Sequence, residues 1–329
     1  MTATREDLSA RLASIASRHL GGPVAIDNLQ PLSGGASADT WQFEASCGGK
    51  YHSMILRLAA PGGDQDPIRV DRATEARLQQ LAAGAGVPVA PVVFVLEEDD
   101  GLGPGYAMDR IDGETLAPRI LREEQYELAR KNMAAQCGHI LARIHTIDSA
   151  TLPGLRKLPA DKILKKLFEL YNAFKQDHPV FELAFKWLGD RMPEQEPLAL
   201  VHGDFRNGNF IVGPDGIRAV LDWEVAHLGD PMEDLGWICV NSWRFGNIDL
   251  PVGGFGHREQ LFEAYEKSGG GRVNPDTVHF WEVFGTLKWG VICIIQAFTH
   301  LMGAKRSVEL ATIGRRTSET EIDLLNLLA

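Results

Sequence analysis

Four cysteines in 329 residues, at Cys47, Cys137, Cys239 and Cys293, form no Cys-x-x-Cys pair and no Cys/His metal spacing. A zinc ribbon or a disulfide framework is therefore excluded, and the thiols are expected to be buried and reduced, as in a cytosolic protein. A basic excess is also missing. Lys and Arg number 33 against 44 Asp and Glu, a formal charge of −11 with a pI near 5.4. General nucleic-acid binding draws its affinity from basic contacts to phosphates, so no nucleic-acid partner is expected. No apolar run approaches the length of a membrane span; the longest, 291–298, is short and broken by Gln296. The opening stretch MTATREDLSARLASIASRHL mixes acids and bases in an amphipathic pattern unlike a secretory signal, so the expectation is a cytoplasmic protein with no membrane partner. What remains is an ordinary globular composition, 44% hydrophobic and 23% charged, long enough for about two domains.

The front of the chain reads as strands and the back as helices. A surface helix over 4–20 ends at Gly21-Gly22. Strands follow at 25–32, 40–45 and 51–58, the first two joined by SGGASAD and the next two by a Cys47-Gly48-Gly49-Lys50 turn. Helical periodicity over 69–84 and strands at 89–96 and 106–111 complete a small sheet. From residue 123 the pattern is helical: 124–147, 160–174, 178–191, 232–240, 257–268, 275–302 and 307–328. This order predicts an α+β chain with a nucleotide-binding part over 1–110 and a helical part over 111–329.

Most of the chemistry sits in VHGDFRNGNFIV at 201–212 and AVLDWE at 219–224. Apolar runs at 198–201 and 217–221 read as strands that hold polar residues at their ends. Asp204, Asn209 five positions on, and Asp222 beyond a short hairpin follow the order in which a phosphoryl-transfer site presents a base and two metal ligands. That chemistry needs positioning and charge neutralisation more than covalent help. Mg²⁺ takes hard oxygens from one or two protein groups plus phosphates, which suits the amide oxygen of Asn209 and the carboxylate of Asp222. Asp204 is the catalytic candidate for orienting an attacking hydroxyl and taking its proton. Arg206 can reach a γ-phosphate with a planar guanidinium. A metal-dependent hydrolase built on His202 competes with this reading, but it lacks a second His nearby.

HGDFRNGN and LDWEVAHLGDPMEDLGW resemble the signature of the aminoglycoside phosphotransferase and choline kinase group, small-molecule kinases of protein-kinase-like fold. The likeness is strongest over 198–237, weaker over 32–113 and thin after 241. It implies a two-lobed α+β fold, with a small antiparallel-sheet lobe and a larger helical lobe, ATP and Mg²⁺ as cofactors, and a small-molecule hydroxyl as acceptor. The pattern looks particularly like the phosphotransferase domains joined to acyl-CoA dehydrogenases, which implies a hydroxyacyl-CoA acceptor. An aminoglycoside-like cation would suit the acidic charge, and choline or ethanolamine would suggest an aromatic cage. A nucleotide-binding pseudokinase is the alternative; its usual mark is loss of Asp204, Asn209 or Asp222, and all three are present.

The resemblance also assigns a nucleotide half. Ser33, Gly34, Gly35, Ala36 and Ser37 fall where a glycine-rich turn covers phosphates with backbone N–H groups, although a plain hairpin turn would look the same. Arg57 stands in the slot of the protein-kinase strand lysine, with Glu75 as its helix partner; Arg69, Arg72 and Arg77 offer Glu75 other pairings. Adenine would meet the main chain around Asp109 and Ile111 and stack on Ile55 and Met108. Asp230-Pro231 is expected to cap the helix starting near Met232, Asp234 to brace the catalytic loop, and His202 to bond the loop backbone. Trp223, Trp237, Trp243, Trp281 and Trp289 could line an acceptor pocket, with core the commoner fate of such residues. Lys157, Lys162, Lys165 and Lys166 form a basic cluster that is either a solvated helix face or an anion contact.

Overall fold

The computed structural model of the chain describes residues 5–32, 38–59, 69–152, 154–194 and 197–329. Contacts between Cα atoms divide it into two units, Met1–Gly113 with Arg218–Ala226, and Glu114–Ile217 with His227–Ala329.

In the first unit, helix α1 (Arg5–Leu20) precedes strands β1 (Val24–Pro31), β2 (Ala38–Cys47) and β3 (Lys50–Ala59), helix α2 (Arg72–Gly84), and strands β4 (Val92–Val95) and β5 (Gly105–Asp109). The strands pair antiparallel in the order β1-β2-β3-β5-β4. Gly48 and Gly49, at φ 57° and 80°, make the two-residue turn from β2 to β3, where left-handed backbone matches the twist of the flanking strands. Strand alternation then sorts β3 by face. Met54, Leu56 and Leu58 join Leu8, Leu12 and Ile15 of α1 in one core, while Ile55 packs with Ala76 of α2, Tyr106 and Met108 in another. Asp71 starts α2 by accepting the Thr74 N–H at 2.7 Å.

The second unit is mostly helical: α3 (Ala117–Arg122), α4 (Glu127–His145), α5 (Ala160–Ala173), α6 (Pro179–Asp190), α7 (Met232–Trp237), α8 (Arg258–Lys267), α9 (Pro275–Leu301), α10 (Val308–Gly314) and α11 (Thr317–Leu328). Short strands β6 (Ala199–Val201), β7 (Phe210–Gly213) and β9 (His227–Gly229) interrupt it, with β6 paired to β9; β8 (Gly216–Val220), hairpin-paired to β7, runs on into the Arg218–Ala226 segment of the first unit. The two strands expected at 198–201 and 217–221 are present as β6 and β8, in different pairs. α7 lies close against α9: a Cβ on Gly236 would stand 2.5 Å from the Trp281 Cβ. The single helix expected over 307–328 is two. Gly314, whose added Cβ would lie 2.5 Å from the Ala297 Cβ, ends α10 against α9. α9, capped by Asn274 and opened by Pro275, is long and apolar enough to cross a membrane by length and composition, against the reading of the sequence. Its apolar window is 72% buried within the protein, and that burial accounts for its composition.

Candidate active site

The first unit gathers charge on the face of β3 that meets α2. Arg57 reaches Glu75 at 3.3 Å and Asp222 at 3.4 Å. Glu75 is fully buried and also paired with Arg72, while Arg72 and Arg69 approach Glu224 at 3.5 Å and 3.4 Å. Burial alone would lower the Arg57 pKa; Glu75, and after it Tyr106, Asp222 and Glu224, more than offset this, and the guanidinium is held in its charged form. Main-chain bonds stitch the second segment of this unit to the first: Val70 N–H donates to Glu224 O and Val220 N–H to Pro88 O, both at 2.8 Å. Between those anchors Asp222 adopts φ 67° and ψ 63°, the left-handed region that few non-glycine residues enter, with its carboxylate about a third exposed.

Beside this charge lies the apolar patch expected for adenine. Ile55 stands opposite Met108 across β3 and β5, and Ile111 packs on the same cluster. The Asp109 N–H donates to Pro91 O at 2.9 Å, so of its main-chain groups only the carbonyl is left for a ligand. Ser33, Gly34, Gly35, Ala36 and Ser37 lie outside the described residues.

In the second unit the loop after β6 is held from beneath. Asp234 accepts the His202 N–H at 2.8 Å and the Gly203 N–H at 2.9 Å, and meets His145 Nε2 at 3.1 Å; His145 Nδ1 lies 2.8 Å from the Tyr265 hydroxyl. Burial would push the Asp234 carboxyl up, but the His145 hydrogen bond and charge, with His202, hold it below the usual carboxylate range. The Asp204 N–H donates back to His202 Nδ1 at 3.2 Å, and Asn207 Nδ2 ties the loop to Gly253 O at 2.7 Å. Gly208 must be glycine here: at φ 111° a Cβ would also stand 2.8 Å from the Arg206 guanidinium.

This loop brings Asp204, Arg206 and Asn209 together. Asp204 Oδ1 accepts from Arg206 Nε and from Trp237 Nε1, both at 2.9 Å, and Oδ2 accepts from Asn209 Nδ2 at 2.6 Å. The Asn209 amide also donates to Asp204 O at 2.9 Å. The sequence aims Arg206 at a phosphate; in the structure its Nε is on Asp204 and its guanidinium lies 4.6 Å from the Trp243 ring centre. Asp230 does begin α7, accepting the Met232 N–H at 2.9 Å, and also takes the Trp281 Nε1–H at 2.8 Å. Trp237 is one of five tryptophans that the sequence offers for an acceptor pocket or for the core, with no contact to Asp204 foreseen. It is nearly buried, as a core tryptophan would be, and nothing in its spacing says that its N–H meets the Asp204 carboxylate. A cavity of about 840 Å³ lined by Trp187, Arg191, Arg272 and His279 contains none of these loop residues.

A five-stranded antiparallel sheet with its helices, followed by a helical unit carrying this braced loop, defines a protein-kinase-like α+β fold. Solved structures agree. The chain superimposes with a TM-score of 0.76 on a Ralstonia eutropha protein assigned to the aminoglycoside phosphotransferases, at 20% identity over 97% of each chain. It does so at 0.64 on a spectinomycin phosphotransferase solved with ADP and spectinomycin, at 15% identity over 96% of this chain and 98% of the other. At such identities the likeness is one of fold. The chain belongs to the phosphotransferase enzyme family, whose model matches residues 28–269. Among curated relatives, mouse acyl-CoA dehydrogenase family member 10 is 28% identical over 249 residues, 73% of this chain; the chain spans 22% of that protein's length.

Proposed function

We propose that this chain transfers the γ-phosphoryl group of MgATP to a hydroxyl of a small molecule. The observation that carries the reading is the Asp204–Asn209 pair. Because Asn209 Nδ2 donates to both Asp204 Oδ2 and Asp204 O, its other atom, the hard oxygen Oδ1, is the one left to face a ligand. Asp222 supports it from the first unit, since an aspartate kept in left-handed backbone is a conformation that persists where a role over-determines it. Among the described residues no group of three His, Cys, Asp or Glu could hold a metal. An amide oxygen and one carboxylate fit Mg²⁺ that shares its remaining ligands with phosphates and water. Asn209 and Asp222 would hold it, and it would supply neutralisation of the phosphate charge.

The chain's own residues do the rest. Arg57, kept charged and oriented by Glu75, binds nucleotide phosphate. Ile55, Met108 and Ile111 receive the adenine ring, with the Asp109 carbonyl as an acceptor. Asp204 takes the proton from the acceptor hydroxyl as its oxygen bonds to the γ-phosphorus and the bond to the departing ADP oxygen breaks. Arg206, anchored on Asp204 and Trp243, stands on the same loop to meet the transferring charge. The ADP complex of the spectinomycin phosphotransferase supports ATP as donor.

For the acceptor we rank a hydroxyacyl-CoA ahead of an aminoglycoside-like cation. The relative in the acyl-CoA dehydrogenase family supports the first, and exposed Lys157, Lys162, Lys165 and Lys166 offer basic contacts to an anionic ester. The net charge of −11 supports the second. ADP release above the acceptor-free blank, measured over both classes side by side, tests the function and the ranking together. Phosphorylation of the aminoglycoside alone reverses the order; stabilisation by MgATP with no turnover on any acceptor favours the pseudokinase instead. A second measurement tests the metal assignment. Thermal stabilisation by ATP should depend on Mg²⁺ in the wild type and lose that dependence in Asp222→Ala. An unchanged metal-dependent shift would remove Asp222 from the metal site.

A further inference from the structure

The Asp204 carboxylate is unevenly occupied, and the imbalance has a cause outside the loop. A carboxylate offers about two lone-pair sites on each oxygen. Oδ1 already has two donors, Arg206 Nε and Trp237 Nε1, whereas Oδ2 has one, Asn209 Nδ2. Arg206 and Asn209 belong to the same loop as Asp204 and move with it. Trp237 sits on α7, the helix whose Asp234 also holds the His202 and Gly203 N–H groups. It is therefore the one side chain of the three that references the carboxylate to the helical frame.

The indole is itself fixed on several sides. Lys288 Nζ of α9 lies 4.5 Å from the centre of its ring and 3.4 Å from Gly203 O. Trp243 packs against it with ring centres 5.1 Å apart. Gly285 of α9 leaves room for it: a Cβ there would come within 2.9 Å of Trp237 Cε3. Glycine inside a helix costs about 1 kcal/mol relative to alanine, and at Gly285 the space it leaves is filled by the Trp237 ring and Val240.

We infer that Trp237 is a positioning residue: with Arg206 it saturates Asp204 Oδ1, so that Oδ2 is the oxygen turned to the acceptor hydroxyl and the one that takes its proton. This rests on Asp204 being the base, as proposed above. The Trp237 N–H acts through Asp204 and touches neither nucleotide nor acceptor.

Two measurements on the full chain test it, one of them independent of activity. The seven tryptophans give seven indole N–H signals in a ¹⁵N correlation spectrum; the signal lost in Trp237→Phe identifies Trp237. In Asp204→Ala that signal should move further than any other tryptophan signal. If it stays in place, the contact does not exist in solution and the inference is overturned, whatever the activity. In the second measurement, ADP release is followed with the acceptor, or water, that gives the highest wild-type rate. Trp237→Phe should lower kcat about 10-fold with KM for MgATP unchanged, the pattern of an interaction that matters only at the transition state. Gly285→Ala, which keeps the N–H but crowds the ring, should lower kcat in the same direction. Trp187→Phe serves as control, since Trp187 lines the cavity that contains none of the loop residues, and should stay near wild type. Wild-type kcat in Trp237→Phe, or an equal loss in Trp187→Phe, overturns the positioning role. A wild-type protein that releases no ADP under any condition sinks the kinase reading instead, and the indole signal still decides the contact.

Discussion

Asp204→Ala is expected to lower turnover by about 10²- to 10⁴-fold, the scale of a lost general base, while MgATP binds nearly as in the wild type. The separation follows from what the side chain touches. Its partners are Arg206, Asn209 and Trp237, all in the loop and on α7, and none of the first-unit groups assigned to the nucleotide. Removing it leaves the buried Trp237 N–H without its acceptor, a loss of about 1–3 kcal/mol in stability that does not bear on nucleotide affinity. Turnover by ADP release and nucleotide affinity by calorimetry would be measured on the same preparation. Near-wild-type turnover would take the base assignment away from Asp204; a large fall in MgATP affinity would make it a ligand of the metal or nucleotide.

Asp234→Ala should be the most damaging substitution for stability. Asp234 is fully buried and accepts two main-chain N–H groups besides meeting His145. Leaving such partners unpaired inside the protein costs about 3–5 kcal/mol, on the scale of a broken buried pair. For a unit of this size that corresponds to a fall in Tm on the order of 10 °C. The pH dependence has a definite sign. The folded-state pKa of Asp234 lies below its ordinary value, so its contribution is complete above the ordinary carboxylate range and is lost as pH falls through the depressed folded value. Asp230 runs the other way. Burial pushes its carboxyl up despite the Trp281 and Met232 hydrogen bonds, so its term grows more favourable to folding as pH falls. Urea unfolding of wild type and variant should therefore differ most at neutral pH and converge in acid. An Asp234→Ala protein as stable as wild type at neutral pH would contradict the bracing role.

The sequence by itself determined the class of fold and offered the residues of a candidate site. The α+β order was legible because strand alternation and helical periodicity are local properties, and β1, β2, β3, α4, α5, α8 and α9 lie within a few residues of where the pattern puts them. Asp204 with Asn209, and Arg57 with Glu75, were legible because their spacing is a feature of the chain, and the structure pairs each couple. Pairing between distant segments was not. The partners of β6 and β8, the break at Gly314 and the attachment of Arg218–Ala226 to the first unit depend on main-chain bonds and close packing that leave no periodic trace. Tertiary structure alone decided which distant side chain meets the Asp204 carboxylate. Trp237 follows it by 33 positions, so a buried indole N–H meets it only once α7 has packed against α9 through Gly236 and Gly285. Arg206 lies on Asp204 within the loop and on the Trp243 ring. A side chain's chemical type is written in the sequence, but its hydrogen-bond partner is set by which distant helix can approach closely enough to exclude water.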